Sequence, residues 1–167
     1  MIEGDIMINI KDIIESVTVE NAVTLVTVYN LPNNSDSIAD IFSCLAEKGI
    51  NVDMISLNPS SGVRQTVSFS AKDDDLANIL STLGLLKASY SDLRIDVNTN
   101  NSKFTFAGEK MRELCGVAAF VFSSLGEKKI TVKMITTSET KISCLIDESD
   151  YSAACELVDK AYGIKII

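Results

Sequence analysis

The chain of 167 residues contains no histidine and no tryptophan, and it has only two prolines and four cysteines. Without histidine, the Ser-His-Asp and Cys-His catalytic arrangements are excluded, as is a Cys/His zinc site. The cysteines, Cys44, Cys115, Cys144 and Cys155, lie far apart with no CxxC spacing. We interpret them as small buried hydrophobic residues of a cytosolic protein. No cofactor or metal is predicted.

Long apolar runs, phosphate-binding loops and an excess of positive charge are also missing. The apolar run Val117–Phe122 is too short to cross a bilayer, and the first residues have no apolar signal core. Neither GxxxxGKS/T nor GxGxxG occurs. The formal net charge of −8 repels phosphate backbones, and the scattered lysines and arginines form no membrane-binding patch. These features predict a cytoplasmic protein that binds neither nucleic acid nor membrane.

The sequence does contain an internal repeat. Shifted by 80 positions, FSCLAEKGINVDMIS (Phe42–Ser56) lies over FSSLGEKKITVKMIT (Phe122–Thr136), and nine of the fifteen positions are identical. Chance does not produce such a match, so the chain is a duplication.

Both copies have the same predicted order of elements. Alternating apolar residues predict four strands in the first copy: Val23–Tyr29, Ile50–Leu57, Val63–Ser70 and Leu93–Val97. Stripes at helical spacing predict its two helices, Ile38–Leu45 and Leu76–Leu83. The second copy repeats the pattern with the strands Phe104–Ala107, Ile130–Thr136, Lys141–Ile146 and Ile164–Ile167, and with the helices Val117–Leu125 and Ala154–Ala161.

The order β-α-β-β-α-β, found twice, predicts an α+β protein with two ferredoxin-like domains, each an antiparallel sheet with both helices on one face. The first domain is predicted at residues 20–98. The closing strand Ile164–Ile167 is short, whereas Met7–Ile10 and Ile13–Val19 have no place in the first copy. We therefore predict that residues 7–19 join residues 101–167 in the second domain and supply its extra strand.

Several segments of the chain resemble a known protein family. GINVDMI, followed by a turn and VSFSAKDDDL, resembles the first ACT domain of aspartate kinases. GEKMRELCGVAAFVFSSL and ITVKMITTSETKISCLIDE resemble the second ACT domain of the same family. The most specific parts are Thr137–Ser143 and Met111–Ala118, and the resemblance extends over Val17–Gly163.

The resemblance implies a regulatory region. In aspartate kinases, paired ACT domains follow a catalytic kinase domain and bind lysine or threonine as feedback inhibitors. They also pair with a second chain, which implies a homodimer here and a catalytic kinase subunit as a further partner. No kinase domain is visible in the sequence, so we predict that this chain is not itself an enzyme.

The resemblance also implies where an effector binds. The N–H groups at a helix start hold a carboxylate, and a side-chain acid or amide takes the ammonium group. In the first copy the corresponding residues are Asn33, Asp36, Ser37 and Ile38, with Leu57 and Asn58 on the second strand and Thr131 and Val132 from the second repeat of a paired chain. A secondary candidate is the equivalent helix start in the second copy, with Arg112 and Gly116.

The first-copy loop departs from the family pattern. The usual Pro-Asp-x-Pro-Gly reads Pro32-Asn33-Asn34-Ser35-Asp36, so an acid becomes an amide and a glycine becomes an anion. Leu57 replaces the usual glutamine and Thr131 the usual asparagine. Two interpretations remain open at this point. The chain is an effector-binding regulator, or it is an assembly module that binds no effector or a different small ligand, in which Asn33–Asp36 is only a turn and helix cap.

Overall fold

The computed structural model describes residues 13–59 and 62–167, and within them the chain forms two compact units. One unit is Glu20–Ser102, and the other combines the described residues up to Val19 with Lys103–Ile167. The described strands are β1 (Ser16–Pro32), β2 (Ile55–Pro59), β3 (Arg64–Lys72), β4 (Arg94–Ala107), β5 (Val132–Thr137) and β6 (Lys141–Asp147). The described α-helices are α1 (Ser35–Glu47), α2 (Leu76–Leu86), α3 (Val117–Glu127) and α4 (Tyr151–Leu157).

The Glu20–Ser102 unit has the strand order β2-β3-β1-β4, with β1 and β2 both antiparallel to β3. Alternate residues of β1 and β3, such as Val26, Val28, Val67 and Phe69, are buried in one core. Helices α1 and α2 complete that core with Ile41, Leu45, Ile79 and Leu83. Because both helices contribute to one buried face, the unit has the ferredoxin-like arrangement.

The other unit has the order β1-β4-β6-β5, so the strand beside β4 is the Ser16–Val19 part of β1. The expected closing segment Ile164–Ile167 makes only an isolated parallel bridge from Ile166 to Val17. Met7–Ile10 lies outside the described residues. The α+β class and the ferredoxin-like order predicted from the sequence are confirmed.

Two predicted element boundaries differ clearly from the structure. The second strand begins at Ile55 and not at Ile50. The Ile50 N–H instead bonds to the Leu45 carbonyl across Gly49, whose φ is +70°, so the apolar residue closes the end of α1. The two strands expected at Leu93–Val97 and Phe104–Ala107 are one continuous strand, β4. The last helix ends at Gly163 as predicted, although it changes at Val158 into a π-helical turn that extends to Tyr162.

The cysteines differ in their surroundings. Cys144 is fully buried, and burial raises the pKa of its thiol to about 12. Cys44 and Cys155 are half-buried, but Cys115 is exposed, contrary to the buried interpretation. In the described part of the chain, no helix combines the length and the apolar character that a membrane crossing needs.

Candidate functional site

The predicted site begins where β1 turns into α1. Asn34 is the N-cap of α1, with the extended backbone angles φ −148° and ψ 163°. Its side-chain oxygen accepts a hydrogen bond from the Ser37 N–H at 2.8 Å. A ligand carboxylate would need this kind of N–H group. The chain's own cap therefore already occupies the Ser37 N–H.

Two buried polar side chains donate hydrogen bonds to the backbone of this loop. Ser37 and Gln65 are 1% and 2% exposed. The Gln65 Nε2 donates to the carbonyl oxygens of Pro32 and Asn34 at 2.7 and 3.1 Å. The Ser37 Oγ donates to the same two carbonyls at 2.7 and 3.0 Å. These bonds hold the loop in one conformation without any ligand.

Asn33 ties the loop to the β2–β3 hairpin. Its backbone N–H donates to the Val63 carbonyl at 2.9 Å, and its side-chain amide donates to the Gly62 carbonyl at 3.1 Å. Gly62 has a φ of +124°, which other residues rarely adopt. The side-chain oxygen of Asn33 is the group that would accept from a ligand ammonium.

Two N–H groups of the helix start are left for a ligand. They belong to Ser35 and Asp36, the first exposed residues of α1, and no acceptor for them is seen within the described ranges 13–59 and 62–167. The Asp36 side chain brings a carboxylate to the same place. At 4 Å in water it would oppose a ligand carboxylate by about 1 kcal/mol. Ile38, in contrast, packs against the core of the unit.

The charge around the helix start is negative. The Tyr90 hydroxyl donates to the Asp40 carboxylate of α1 at 2.5 Å. This bond, with the nearby charges of Asp40 and Asp36, raises the pKa of Tyr90. The electrostatic environment is thus unfavourable to a second anion.

Leu57 and Asn58 lie on β2, at the edge of the sheet. They pair with Val67 and Thr66 of β3, and Leu57 is 47% exposed. Gln65 pairs with Pro59 of β2 on one side and with Leu31 of β1 on the other. Gln65 therefore links the strand that carries Leu57 and Asn58 to the α1 loop.

The remaining predicted residues lie in the other unit. The exposed Thr131 directs its N–H to an Asp150 carboxylate oxygen at 3.4 Å, and Val132 packs against the core. Gly116, with φ +94°, precedes α3 and gives it no side-chain cap. Arg112 pairs with Glu109 at 2.5 Å, so its guanidinium group already has an anionic partner.

Sequence reasoning missed Gln65. The signal was available, because Gln65 is in phase with Val67 and Phe69 on the alternating strand. A polar residue in phase with core residues must find hydrogen-bond partners inside the protein. The partners themselves were not predictable, since they lie about thirty residues away in the loop after β1.

Comparison with known proteins finds a match to a domain family over part of this chain. Residues 104–162 match the ACT domain. The chain is 34% identical to the aspartokinase of Bacillus sp. (strain MGA3) over 164 residues, which is 98% of this chain and 40% of that protein. It is also 34% identical to the aspartokinase of Geobacillus stearothermophilus, covering 98% of this chain and 39% of that protein. It therefore spans about two fifths of the length of these relatives.

Solved structures of aspartate kinase regulatory chains match this chain over nearly its full length. A chain from the crystal structure of aspartokinase alpha and beta subunits has a TM-score of 0.82 at 29% identity, and the match covers 90% of this chain and 99% of that one. The ligand-free regulatory subunit of aspartate kinase from Thermus thermophilus has the same fold, with a TM-score of 0.79 at 24% identity and coverage of 89% and 98%. The chain resembles the ACT-domain regulatory region of aspartate kinases.

Proposed function

We propose that this chain is a regulatory pair of ACT domains of the aspartate kinase type, one domain at residues 20–98 and the other at residues 7–19 plus 101–167. It would place an aspartate kinase under feedback control by lysine or threonine. The observation that carries the proposal is the match of 98% of the chain to only 40% of an aspartokinase. We also propose that the chain acts in the cytoplasm and has no kinase activity of its own. Incubation with ATP, Mg²⁺ and aspartate should yield no aspartyl phosphate.

Assembly with a second ACT-bearing chain is part of this proposal. Strands β2 and β5 lie at sheet edges. They expose Ile55, Leu57 and Ile135 by 50%, 47% and 44%. Ile55 and Ile135 occupy the same position in the two copies, 80 residues apart. An edge strand with exposed apolar side chains favours pairing with another chain, so we propose a homodimer and, as a further partner, a catalytic kinase subunit.

The effector would bind at the start of α1 in the assembled protein. The N–H groups of Ser35 and Asp36 would take the carboxylate, and the side-chain oxygen of Asn33 would take the ammonium group. Leu57 and Asn58 would border the ligand from β2. Thr131 and Val132 of a second copy would complete the site. An effector acts by binding one arrangement of the dimer more tightly than another.

A second candidate is an assembly module that binds no effector. The observation that favours it is that the α1 loop is held by its own bonds: Asn34 accepts from the Ser37 N–H, and Gln65 donates to Asn34 and to Ser37. In this case the ACT pair would contribute dimer contacts only.

Calorimetry separates the two candidates. Titration with L-lysine and L-threonine should give heat with one of them if the chain is a sensor. Asp36→Asn should then strengthen binding by about fivefold, since it removes about 1 kcal/mol of repulsion. Glu139→Gln removes one negative charge from the exposed turn after β5 and serves as the control.

The alternative outcome is equally specific. No heat with either amino acid, together with a dimeric mass in size-exclusion chromatography with light scattering, would favour the assembly module. A monomer that binds neither amino acid would contradict both candidates.

A further inference from the structure

The outer face of α2 carries no charge. The helix extends over 11 residues, Leu76–Leu86, and none of them is Asp, Glu, Lys or Arg. Its inner face gives Ile79 and Leu83 to the core. The outer face contains Leu80 and Leu85, which are 46% and 75% exposed. Its other exposed residues are Ala77, Asn78, Ser81 and Gly84. An uncharged surface with exposed leucines favours contact with another protein surface.

Helix α4 has the same place in the second copy, but its outer face is charged. Each helix begins directly after a three-residue 3₁₀ turn, so position 76 corresponds to position 151. At this shift Ser81 corresponds to Glu156 and Leu85 to Lys160, and all four residues are exposed. Glu156 and Lys160 form an ion pair. The duplication thus contains one helix with the charges of a solvated surface and one helix without them.

Gly84 lies inside α2, where glycine destabilises a helix relative to alanine. An added Cβ at this position would meet no atom of the described residues within 4 Å. Packing inside the described part of the chain therefore does not require a glycine here. Ala77, Ser81 and Gly84 form a small-residue strip at the spacing i, i+4 and i+7 on the outer face. Such a strip lets the backbone of a second helix approach closely.

We propose that α2 packs against the α2 of a second copy of this chain, with the two helices antiparallel about a two-fold axis near Ser81. The charges at the helix ends specify this occupant and this direction. The acidic turn Asp73–Asp75 precedes α2, and Lys87 follows it. Asp75 and Lys87 lie at equal distances in sequence from Ser81. In the antiparallel pair, each acidic turn therefore lies level with a lysine of the other copy, whereas a parallel pair would bring the two acidic turns together.

The same arrangement brings large residues level with small ones. Ala77 and Leu85 are equally far from Ser81, so Leu85 of each copy lies level with Ala77 of the other. A helix of 11 residues is about 16 Å long and about 10 Å wide, so the contact buries on the order of 300 Å² on each copy. Stable complexes bury about 800 Å² per partner. The α2 contact is therefore weak, and it adds to the edge-strand pairing proposed above without depending on it.

Light scattering from about 10 μM to about 1 mM protein tests this contact, since that range covers weak interfaces. The wild-type mass should approach twice its low-concentration value, whether that value is a monomer or a dimer. Leu85→Lys should weaken the association at least about tenfold, because a charge then faces an apolar neighbour. Ile167→Lys makes the same change at a similarly exposed residue of the other unit. This control should leave the association within about twofold of wild type, because charges outside the contact are screened.

Gly84→Ala separates association from folding. The added methyl group should weaken the association about fivefold by crowding the two backbones. It should also raise the urea midpoint of unfolding, because alanine is the better helix former. A purely structural role for Gly84 would change the unfolding midpoint and leave the association unchanged.

A cysteine on the two-fold axis locates the contact. Ser81→Cys, in a chain whose exposed Cys115 is replaced by serine, should form an intermolecular disulfide on oxidation. Two residues on the axis can reach the Cα separation of about 6 Å that a disulfide needs. Glu156→Cys in the same background is the matched control, because Glu156 is exposed at the corresponding position of α4. This control should remain uncrosslinked.

Three results would overturn the proposal: a mass that stays constant over the whole concentration range, a doubling that Leu85→Lys leaves intact, or equal crosslinking by the two cysteine variants. Crosslinking of Ser81→Cys only to an added catalytic subunit of an aspartate kinase would assign the α2 face to that subunit and would also overturn it. A doubling that starts from the monomer mass would support the α2 contact while contradicting the edge-strand dimer.

Discussion

Gln65 offers a direct test of how the α1 loop is held. Its side-chain amide donates to the carbonyls of Pro32 and Asn34 at 2.7 and 3.1 Å, and the residue is 2% exposed. Gln65→Met keeps the length and approximate volume of the side chain but removes both donors. We expect the Glu20–Ser102 unit to lose stability, because two part-buried carbonyls lose a donor.

The expected magnitude follows from the bonds that are lost. A neutral hydrogen bond contributes about 1 kcal/mol net, so two bonds contribute about 2 kcal/mol. For a chain of this size, that corresponds to a lowering of the melting temperature by about 4–8 °C. The Pro32 carbonyl can still accept from the Ser37 hydroxyl in the variant. We therefore expect a lowering of the melting temperature near the lower end of this range.

The assay is urea and thermal unfolding followed by circular dichroism. Thr66→Val, at the adjacent and less buried position on the other face of β3, is the control for a polar-to-apolar change. If Gln65→Met unfolds at the wild-type midpoint, the amide contributes nothing, and the account of a loop held by internal bonds is wrong.

The Gln65→Glu substitution should make the stability of the folded chain depend on pH. At neutral pH the introduced carboxylate would face two carbonyl oxygens, so its pKa in the folded state should be raised above the usual value of about 4.3. At pH values below about 4.3 the introduced carboxyl is protonated in both the folded and the unfolded state, and its O–H can donate one hydrogen bond to the loop. As the pH rises towards the folded pKa, the unfolded state releases its proton first and the stability falls. A variant whose stability is independent of pH between 4 and 8, relative to wild type, would contradict this.

Three further predictions concern other parts of the chain. Asn34→Ala should cost about 1 kcal/mol through loss of the N-cap of α1, measured by urea unfolding, whereas Asn34→Gly should cost only a few tenths. Asp147→Asn should lower the melting midpoint at pH 7. The difference from wild type should begin to shrink as the pH falls below about 4 and should vanish only near the lowered pKa of the folded state, because this carboxyl stabilises the fold only when it is ionised. Ile55→Lys combined with Leu57→Lys should shift the mass in light scattering from dimer to monomer, while Leu85→Lys, on an even more exposed apolar residue of α2, should not.

The order of elements was predictable because it depends on local patterns. The alternation in Val23–Tyr29 and the stripe through Ile41 and Leu45 predict one strand and one helix, and both belong to the observed core. The mistaken strand start at Ile50 has a local cause, since an apolar residue after a helix-ending glycine looks the same whether it extends a strand or closes a helix.

The sequence by itself determined the duplication, the βαββαβ order and the resemblance to a regulatory region, since each of these is recorded in residue types at short spacing. Only the tertiary structure decided that Gln65 bonds to the α1 loop and that residues as far apart in the chain as Val23, Asp53 and Lys72 line one cavity. Both depend on bonds or gaps between segments far apart in the chain. Such contacts form only when the strands pair in one register, and a one-residue change of register would turn each of these side chains to the other face of the sheet.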